Sequence, residues 1–174
     1  LRKIKKVFNS SFINAVDLII NCKGKIILAG IGKSGLIAKK ISATFSSVGI
    51  PSFFCDPAQA LHGDMGQIEK KDILIILSYS GNTSELTNML KYANRSRIKI
   101  IGVASKSDSL LLKASDVKIL LPKVKESDVI GMVPTSSTSI TLLLGDCLAT
   151  TVMYKRKFSK DKFKIVHPGG NIGS

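Results

Sequence analysis

The sequence predicts an α/β fold: a three-layer sandwich in which a five-stranded parallel sheet is flanked by helices, in the doubly wound, flavodoxin-like arrangement. Three observations predict it. Short apolar runs alternate with stretches of helical periodicity along the chain. Residues 73–77 are continuously apolar, as expected of a parallel strand covered on both faces. Two polar turns, at residues 30–35 and 78–84, each link an apolar run to a helical stretch.

The 174 residues are expected to form a single domain, residues 1–174. Phe8, Phe12 and Val16 recur at helical spacing, and Pro134 suits the start of a long buried helix. Helices are expected over residues 6–21, after each polar turn, and at residues 110–114 and 135–154. Strands are expected over residues 25–29, 51–55, 73–77, 98–103 and 117–121.

The chain is strongly basic, with 26 Lys and Arg against 12 Asp and Glu and a formal charge of +14. Its field favours an anionic partner, and both phosphate and nucleic acid fit that requirement. The charge is spread along the chain, so a solvated lysine-rich surface stays an alternative. Because no helix-turn-helix, zinc finger or aromatic RNA-binding signature accompanies the charge, no nucleic-acid partner is expected.

Neither a metal site nor a membrane location is indicated. Cys22, Cys55 and Cys147 lack paired metal-type spacing and stand beside apolar residues, so they are expected to be reduced core thiols. No secretory leader is recognised, and the apolar stretch at residues 140–153 is short and contains Asp146. A soluble, cytoplasmic protein without a membrane partner is expected.

The first polar turn, the glycine turn (residues 30–35), reads Gly-Ile-Gly-Lys-Ser-Gly. It matches the dinucleotide pattern G-x-G-x-x-G, with Asp56 after the next strand as a possible ribose-binding acid. Lys33 and Ser34, however, place a cation and a hydroxyl where a dinucleotide needs only close backbone approach. A Walker A loop is excluded because its first glycine would fall at Ile27. A tight turn without ligand stays an alternative.

The second polar turn, the hydroxyl turn (residues 78–84), reads Ser-Tyr-Ser-Gly-Asn-Thr-Ser and leads into a helix. Its four Ser and Thr hydroxyls, exposed backbone N–H groups and the positive end of the helix dipole are suited to holding a phosphate. Ordinary N-capping would explain one of these hydroxyls but not four. The turn therefore argues against a dinucleotide-binding oxidoreductase.

Together the two turns resemble the signature turns of sugar isomerase (SIS) domains, in which the Ser/Thr-rich loop grips the phosphate of a phosphosugar. Residues 60–64 (Ala-Leu-His-Gly-Asp), 134–138 (Pro-Thr-Ser-Ser-Thr) and 167–170 (His-Pro-Gly-Gly) are similar to segments of arabinose-5-phosphate isomerases. These matches occur in order over nearly the whole chain, which makes the resemblance far more specific than any one motif.

The resemblance implies an aldose-ketose isomerase that interconverts D-ribulose 5-phosphate and D-arabinose 5-phosphate through an enediol, leading toward the Kdo sugar of lipopolysaccharide. It also implies a phosphosugar ligand, no cofactor or metal, and a homotetramer with sites at subunit interfaces. Many members continue into a pair of CBS domains, so a form without them is expected here. Another phosphosugar isomerase, or a non-catalytic phosphosugar-binding regulatory SIS domain, stays an alternative.

Carried over position by position, the resemblance marks two sets of residues. The catalytic set comprises Lys33, His62, Glu85, Glu126 and His167. The substrate-binding set comprises Gly32, Ser34, Ser78, Ser80, Gly81, Asn82, Thr83, Ser136 and Ser137. Asn82 and Thr83 depart from the glutamate common in this turn of arabinose-5-phosphate isomerases and are closer to the wider SIS pattern.

Aldose-ketose isomerisation needs a base near C1 and C2 and groups that shuttle protons between the two oxygens. The hypothesis is that Glu126 or His167 handles the carbon-bound proton, while His62 assists at the oxygens. Lys33 is suited to stabilising the enediolate oxygen. Two alternatives stay open: Glu85 could serve only the helix dipole, and Glu126 could form a surface ion pair with a lysine. His167 could also reach the site of a neighbouring subunit.

Overall fold

Five parallel strands form the central sheet of the structure, a computed structural model that describes residues 2–169. The strands are β1 (Ile26–Gly30), β2 (Ser52–Cys55), β3 (Ile73–Leu77), β4 (Lys99–Ala104) and β5 (Val117–Leu120). Their order in the sheet is β2-β1-β3-β4-β5, and every neighbouring pair is parallel. The predicted fold class is therefore confirmed, including the flavodoxin-like strand order.

Helices cover both faces of the sheet. They are α1 (Ser10–Ile20), α2 (Lys33–Ser47), α3 (Pro57–Ala60), α4 (Leu86–Arg95), α5 (Leu110–Ala114), α6 (Ser136–Lys155) and α7 (Lys160–Val166), with 3₁₀ helices at Arg2–Val7 and Asp64–Gln67. The helix predicted over residues 6–21 is wrong at its start. Asn9 is extended, with φ of −121°, and its side chain accepts a hydrogen bond from Ser11 N, so α1 begins only at Ser10.

Each face of the sheet has its own apolar core. In β1, Ile26 and Leu28 pack with the side chains of α1, α2 and α6, whereas Ile27 and Ala29 pack with those of α4 and α5. All of β3 is buried, as its continuous apolar run predicts. Burying one such aliphatic side chain contributes roughly 1.5–3 kcal/mol. The sheet is therefore a rigid platform that fixes where its strands end.

The direction in which the chain crosses the sheet reverses between β1 and β3. Helix α2 leads from β1 outward to β2, and α4 leads from β3 outward to β4 on the opposite side. Gly30 pairs with Leu77 at the carboxyl ends of these two strands, so the glycine turn and the hydroxyl turn leave the sheet side by side. Open α/β sheets bind ligands in the crevice at such a reversal.

All three cysteines are free thiols, but only Cys55 is buried. Desolvation, together with the nearby Asp64 and Asp56, raises the pKa of Cys55 to about 11. Cys22 and Cys147 are half-buried and pack against the apolar core on the α1, α2 and α6 face, so these two thiols lie at the margin of the core. In the described part of the chain, no group of three or more His, Cys, Asp or Glu could hold a metal ion. Nor does any described helix combine the length and apolar character needed to cross a membrane.

Candidate active site

The glycine turn allows α2 to start directly against the end of β1. A Cβ added at Gly35 would lie 2.7 Å from the carbonyl oxygen of Gly30, so no side chain fits there. Gly32 precedes the helix with φ of 58°. Lys33 and Ser34 form the first turn of α2 and border the crevice beside β3. The glycine spacing thus reflects close packing of strand and helix, and the two residues after Gly32 supply the polar groups.

The hydroxyl turn is held in shape by its own side chains. The Oγ of buried Ser78 accepts a hydrogen bond from Gly81 N at 3.1 Å and lies 2.9 Å from Thr83 Oγ1. Ser80 Oγ accepts a hydrogen bond from Asn82 N at 3.3 Å. Gly81 has φ of 71°, a left-handed conformation that favours glycine. Ser80 and Thr83 border the crevice, where their hydroxyls can meet a ligand.

The loop after β4 supports the hydroxyl turn from behind. The carbonyl oxygen of Tyr79 accepts hydrogen bonds from Ser105 N at 2.9 Å and from Ser105 Oγ at 2.7 Å. Asn82 Oδ1 accepts a hydrogen bond from Leu110 N at 2.9 Å, at the start of α5. A Cβ added at Gly81 would collide with the side chain of Ser109. Gly81 and Asn82, both predicted to bind substrate, therefore have a structural task in shaping the turn.

Glu126 caps the amino end of α6 from outside the helix. Its Oε2 accepts hydrogen bonds from Thr135 N at 2.9 Å, Thr135 Oγ1 at 3.2 Å and Ser137 N at 3.1 Å. The anticipated alternative, an ion pair with a lysine, is not formed with any residue from 2 to 169. Instead, the free N–H groups at the helix start fix the carboxylate, and the positive end of the helix dipole favours its charge.

These contacts keep Glu126 ionised and leave one of its oxygens free. Desolvation acts to raise its pKa, but hydrogen bonds from Ser137 and Thr135 outweigh that effect and hold the pKa below its ordinary value of 4.5. All the hydrogen bonds that Glu126 accepts from described residues go to Oε2. Oε1 is therefore available to a ligand, and the carboxylate is in the form that can accept a proton.

A cavity of about 530 Å³ joins these groups into one site. Its walls come from the two turns, the first turns of α6 and the segment that leads to α6. Lys33 and Lys125 line it and form no ion pair with any described residue, so one wall is cationic and suits an anion. The predicted site residues that line this cavity are Lys33, Ser34, Ser78, Ser80, Thr83, Glu126 and Ser137.

Three predicted catalytic residues lie outside the cavity of their own chain. His62 is exposed in the turn after α3. Glu85 is exposed just before α4, and a hydrogen bond from Ser84 Oγ at 2.7 Å lowers the pKa of its carboxyl. It does not line the cavity of its own chain, so within one chain it does not face the expected ligand site. His167 follows α7, where its ring stacks on that of Phe163 at 3.9 Å and its Nδ1 lies 2.9 Å from Phe163 O.

Four predicted binding residues also lie off the cavity wall, namely Gly32, Gly81, Asn82 and Ser136, and the wall contains residues outside the two predicted sets. Gly32 is exposed beside it, and Ser136 borders a neighbouring cavity together with Lys3. Lys125 and Thr138 line the site and adjoin predicted residues, so proximity to the motifs was a usable signal. Of the apolar wall residues, Ile31 also lies within the glycine turn, whereas Ile37 and Met132 lie outside the motifs and carry no such signal.

The SIS domain family model matches residues 18–151 of this chain. The chain is 47% identical over 165 residues to the Rickettsia prowazekii protein RP505, a match that spans 95% of this chain and 51% of that protein. It is 42% identical over 162 residues to the arabinose 5-phosphate isomerase KdsD of Pseudomonas aeruginosa, spanning 93% of this chain and 50% of that protein. The chain thus spans about half the length of the curated relatives it matches.

A solved structure from E. coli CFT073, described in complex with arabinose 5-phosphate, is similar over almost its whole length. The TM-score is 0.91 at 34% identity, and the match covers 96% of this chain and 90% of that one. The matched family region contains both turns, Glu126 and the start of α6. The chain belongs to the SIS domain family.

Proposed function

We propose that this chain is an isomerase that interconverts D-ribulose 5-phosphate and D-arabinose 5-phosphate through an enediol intermediate. One observation carries the proposal: the hydroxyl turn, Lys33 and Glu126 border the same cavity. The similarity to KdsD of Pseudomonas aeruginosa and to the arabinose 5-phosphate complex supports this choice of substrate. The reaction belongs to the route toward Kdo and lipopolysaccharide, and the single domain and cytoplasmic location expected from the sequence fit that role.

The phosphate group is proposed to bind at the hydroxyl turn. Ser80 and Thr83 offer hydroxyls there, and the turn leads into α4, whose first N–H groups and positive dipole end attract an anion. Lys33 adds a positive charge from the neighbouring turn. With its phosphate held at this end, the sugar extends across the cavity and brings C1 and C2 toward α6.

Glu126 is proposed to move the carbon-bound proton. Its Oε1 takes the proton from C1 of ribulose 5-phosphate while O2 gains a proton, which gives the enediol. The Glu126 carboxyl, whose proton can exchange with solvent, then delivers a proton to C2 while O1 loses one, which gives arabinose 5-phosphate. A carboxylate with a lowered pKa is ionised at neutral pH but is a weak base. Stabilisation of the developing enediolate oxygen is therefore required, and Lys33 is the cation suited to that task.

We further propose a homotetramer in which His167 completes the site of a neighbouring subunit. His167 lies outside its own cavity, whereas the loop beside that cavity exposes Val129, Ile130 and Met132 by 103%, 70% and 75%. Contiguous exposed apolar side chains mark a protein contact. A second copy is the fitting occupant because this chain carries, away from its own cavity, the histidine that the reaction needs.

Mixing two inactive variants tests the shared site. Glu126→Gln subunits and His167→Ala subunits are each expected to be inactive as pure proteins. After unfolding and refolding together, one subunit supplies Glu126 and its neighbour supplies His167, so part of the activity returns. If each site is built from one chain, the mixture stays as inactive as its components.

A non-catalytic phosphosugar-binding domain is the second candidate, because His62, Glu85 and His167 lie away from the cavity. The two candidates are separated by incubating the purified protein with D-ribulose 5-phosphate in D₂O, without NAD or added metal, and following the products by NMR. We expect D-arabinose 5-phosphate with deuterium at C2, because an enediol exchanges its proton with solvent. Unphosphorylated D-ribulose is the control and is expected to remain unchanged. Tight binding without turnover or deuterium uptake would contradict the isomerase and support the binding domain.

A further inference from the structure

Tyr79 connects the hydroxyl turn to the segment that carries Glu126. It stands between Ser78 and Ser80 in the sequence, yet its hydroxyl bonds to neither. Tyr79 Oη accepts a hydrogen bond from Val124 N at 2.9 Å and donates one to Pro122 O at 3.3 Å. The first distance is that of a full-strength hydrogen bond and the second is long, so the contact with Val124 dominates.

The segment at residues 122–126 has few other hydrogen bonds to hold it. Before it, Leu121 N donates to Ala104 O at 2.7 Å and ends the pairing with β4. After it, the Glu126 carboxylate is held at the start of α6. Between these points, the hydrogen bonds that described residues provide are those of Tyr79 and one from Lys3 Nζ to Lys123 O at 3.4 Å.

We propose that Tyr79 is a positioning residue, whose hydroxyl sets the place of Glu126 and Lys125 relative to the hydroxyl turn. This inference rests on the proposed function. The main-chain carbonyl of Tyr79 is fixed by two hydrogen bonds from Ser105, so the residue itself is anchored. The phosphate-binding turn and the proton-transferring carboxylate thereby share one fixed reference point.

Such a role affects turnover more than ligand binding. Removing the hydroxyl leaves Ser80, Thr83 and Lys33 in place for the phosphate, because their contacts do not involve it. It removes the hydrogen bond at Val124 N, two residues from Glu126, and leaves apolar packing against the core to hold Val124. A displacement of about 1 Å of a catalytic group can cost roughly 100-fold in rate.

Tyr92 provides a matched control. Its hydroxyl also donates to a main-chain oxygen, that of Ile68, at 3.3 Å, but it lies on α4 and does not line the cavity. Tyr79→Phe and Tyr92→Phe each remove one tyrosine hydroxyl and its hydrogen bonding to the main chain. Only the former removes a contact that reaches the Glu126 segment.

The test compares steady-state kinetics with ribulose 5-phosphate and amide hydrogen exchange for wild type, Tyr79→Phe and Tyr92→Phe. We expect Tyr79→Phe to lower kcat about 10- to 100-fold with KM changed less than about threefold, and Tyr92→Phe to stay within about twofold of wild type. Exchange at Val124 and Ser127, whose amides donate hydrogen bonds to Tyr79 Oη and Thr135 Oγ1, should accelerate in Tyr79→Phe alone.

An unchanged kcat, a change confined to KM, or an equal loss in Tyr92→Phe would overturn the positioning role. A wild-type protein without turnover would instead contradict the proposed function. In that case the exchange data still decide about Tyr79, since unchanged protection of Val124 and Ser127 in Tyr79→Phe would overturn the inference on its own.

Discussion

Two carboxylates at opposite edges of the sheet are held by backbone N–H groups, but only one of them borders a cavity. At the amino edge, Asp72 accepts hydrogen bonds from Lys25 N at 2.7 Å and Glu69 N at 2.8 Å, one on each oxygen, and lies 3.2 Å from Lys25 Nζ. Its side chain is 0% exposed. At the carboxyl ends of the strands, Glu126 lines the cavity, and the hydrogen bonds that it accepts from described residues all go to Oε2.

The difference separates a structural carboxylate from the one that we propose as the base. At Asp72, each carboxylate oxygen accepts a backbone hydrogen bond, Lys25 pairs with the carboxylate, and the side chain is closed to solvent. No ligand can therefore bind to it. At Glu126, one oxygen fixes the side chain while the other stays free, and lysines without ion pairs to described residues line the same cavity. A buried polar group marks a functional site when part of its bonding capacity is unused, rather than by burial alone.

The largest expected effect comes from Glu126→Gln. The amide can still accept a hydrogen bond from the start of α6, but it cannot take a proton from carbon, so kcat should fall roughly 10²- to 10⁴-fold. Glu69→Gln is the matched control, because Glu69 is an exposed glutamate at the other edge of the sheet. If the kcat of Glu126→Gln stays within a few fold of that control, Glu126 is not the base.

Asp72→Asn should act on stability and leave turnover alone. The amide offers one acceptor oxygen where the structure needs two, and its NH₂ group would face a backbone donor. The free energy of unfolding should fall by about 2–4 kcal/mol, measured by denaturant titration. The kcat of the folded fraction should stay within about twofold of wild type.

Asp116→Asn tests how far the loss of stability depends on burial of the carboxylate. Asp116 accepts a backbone hydrogen bond from Ile100 N at 2.9 Å and one from Lys99 Nζ, but its side chain is 34% exposed. Because water can replace its lost contacts, the destabilisation should be smaller than for Asp72→Asn. If Asp116→Asn lowers the free energy of unfolding as much as Asp72→Asn or more, burial is not the reason that Asp72 is sensitive to substitution.

A smaller effect is expected in the pH dependence of stability. The folded-state pKa of Glu126 is lowered, so ionisation stabilises the fold above the ordinary value of 4.5, and that contribution is lost as pH falls through the folded pKa. Denaturant titrations of wild type and Glu126→Gln at about pH 7 and about pH 3 check this. Their difference in unfolding free energy should shrink at the lower pH, and a constant difference would show that the charge is not stabilised.

Local signals made much of the fold predictable from the sequence. Continuous apolar runs and turn residues locate β3 and the short helix α5 at their observed bounds, Ile73–Leu77 and Leu110–Ala114. The same logic predicts that the two turns lie at strand ends. The start of α1 is predicted too early because the apolar spacing continues through Phe8. In the structure, Asn9 is the N-cap, so the helix begins only after it.

The candidate site is less predictable because it depends on contacts distant in sequence. Asn82 stands in a ligand-like motif, but its side chain caps α5 instead. Glu126 reaches Thr135 and Ser137 only after the chain folds back, so no local sequence pattern predicts that it caps α6. The positions of His62 and His167 away from the cavity do not follow from motif order, since a match along the sequence does not give the distance of a side chain from the cavity.

The most direct test is a titration of the ¹⁵N-labelled protein with D-arabinose 5-phosphate, followed by amide chemical shifts and repeated with unphosphorylated D-arabinose. We expect saturable shifts in the hydroxyl turn and at Lys33 and Ser34 with the phosphosugar, and none with the free sugar. Absent shifts, or shifts confined to another surface such as the loop at residues 105–109, would contradict the assignment of this cavity as the phosphosugar site.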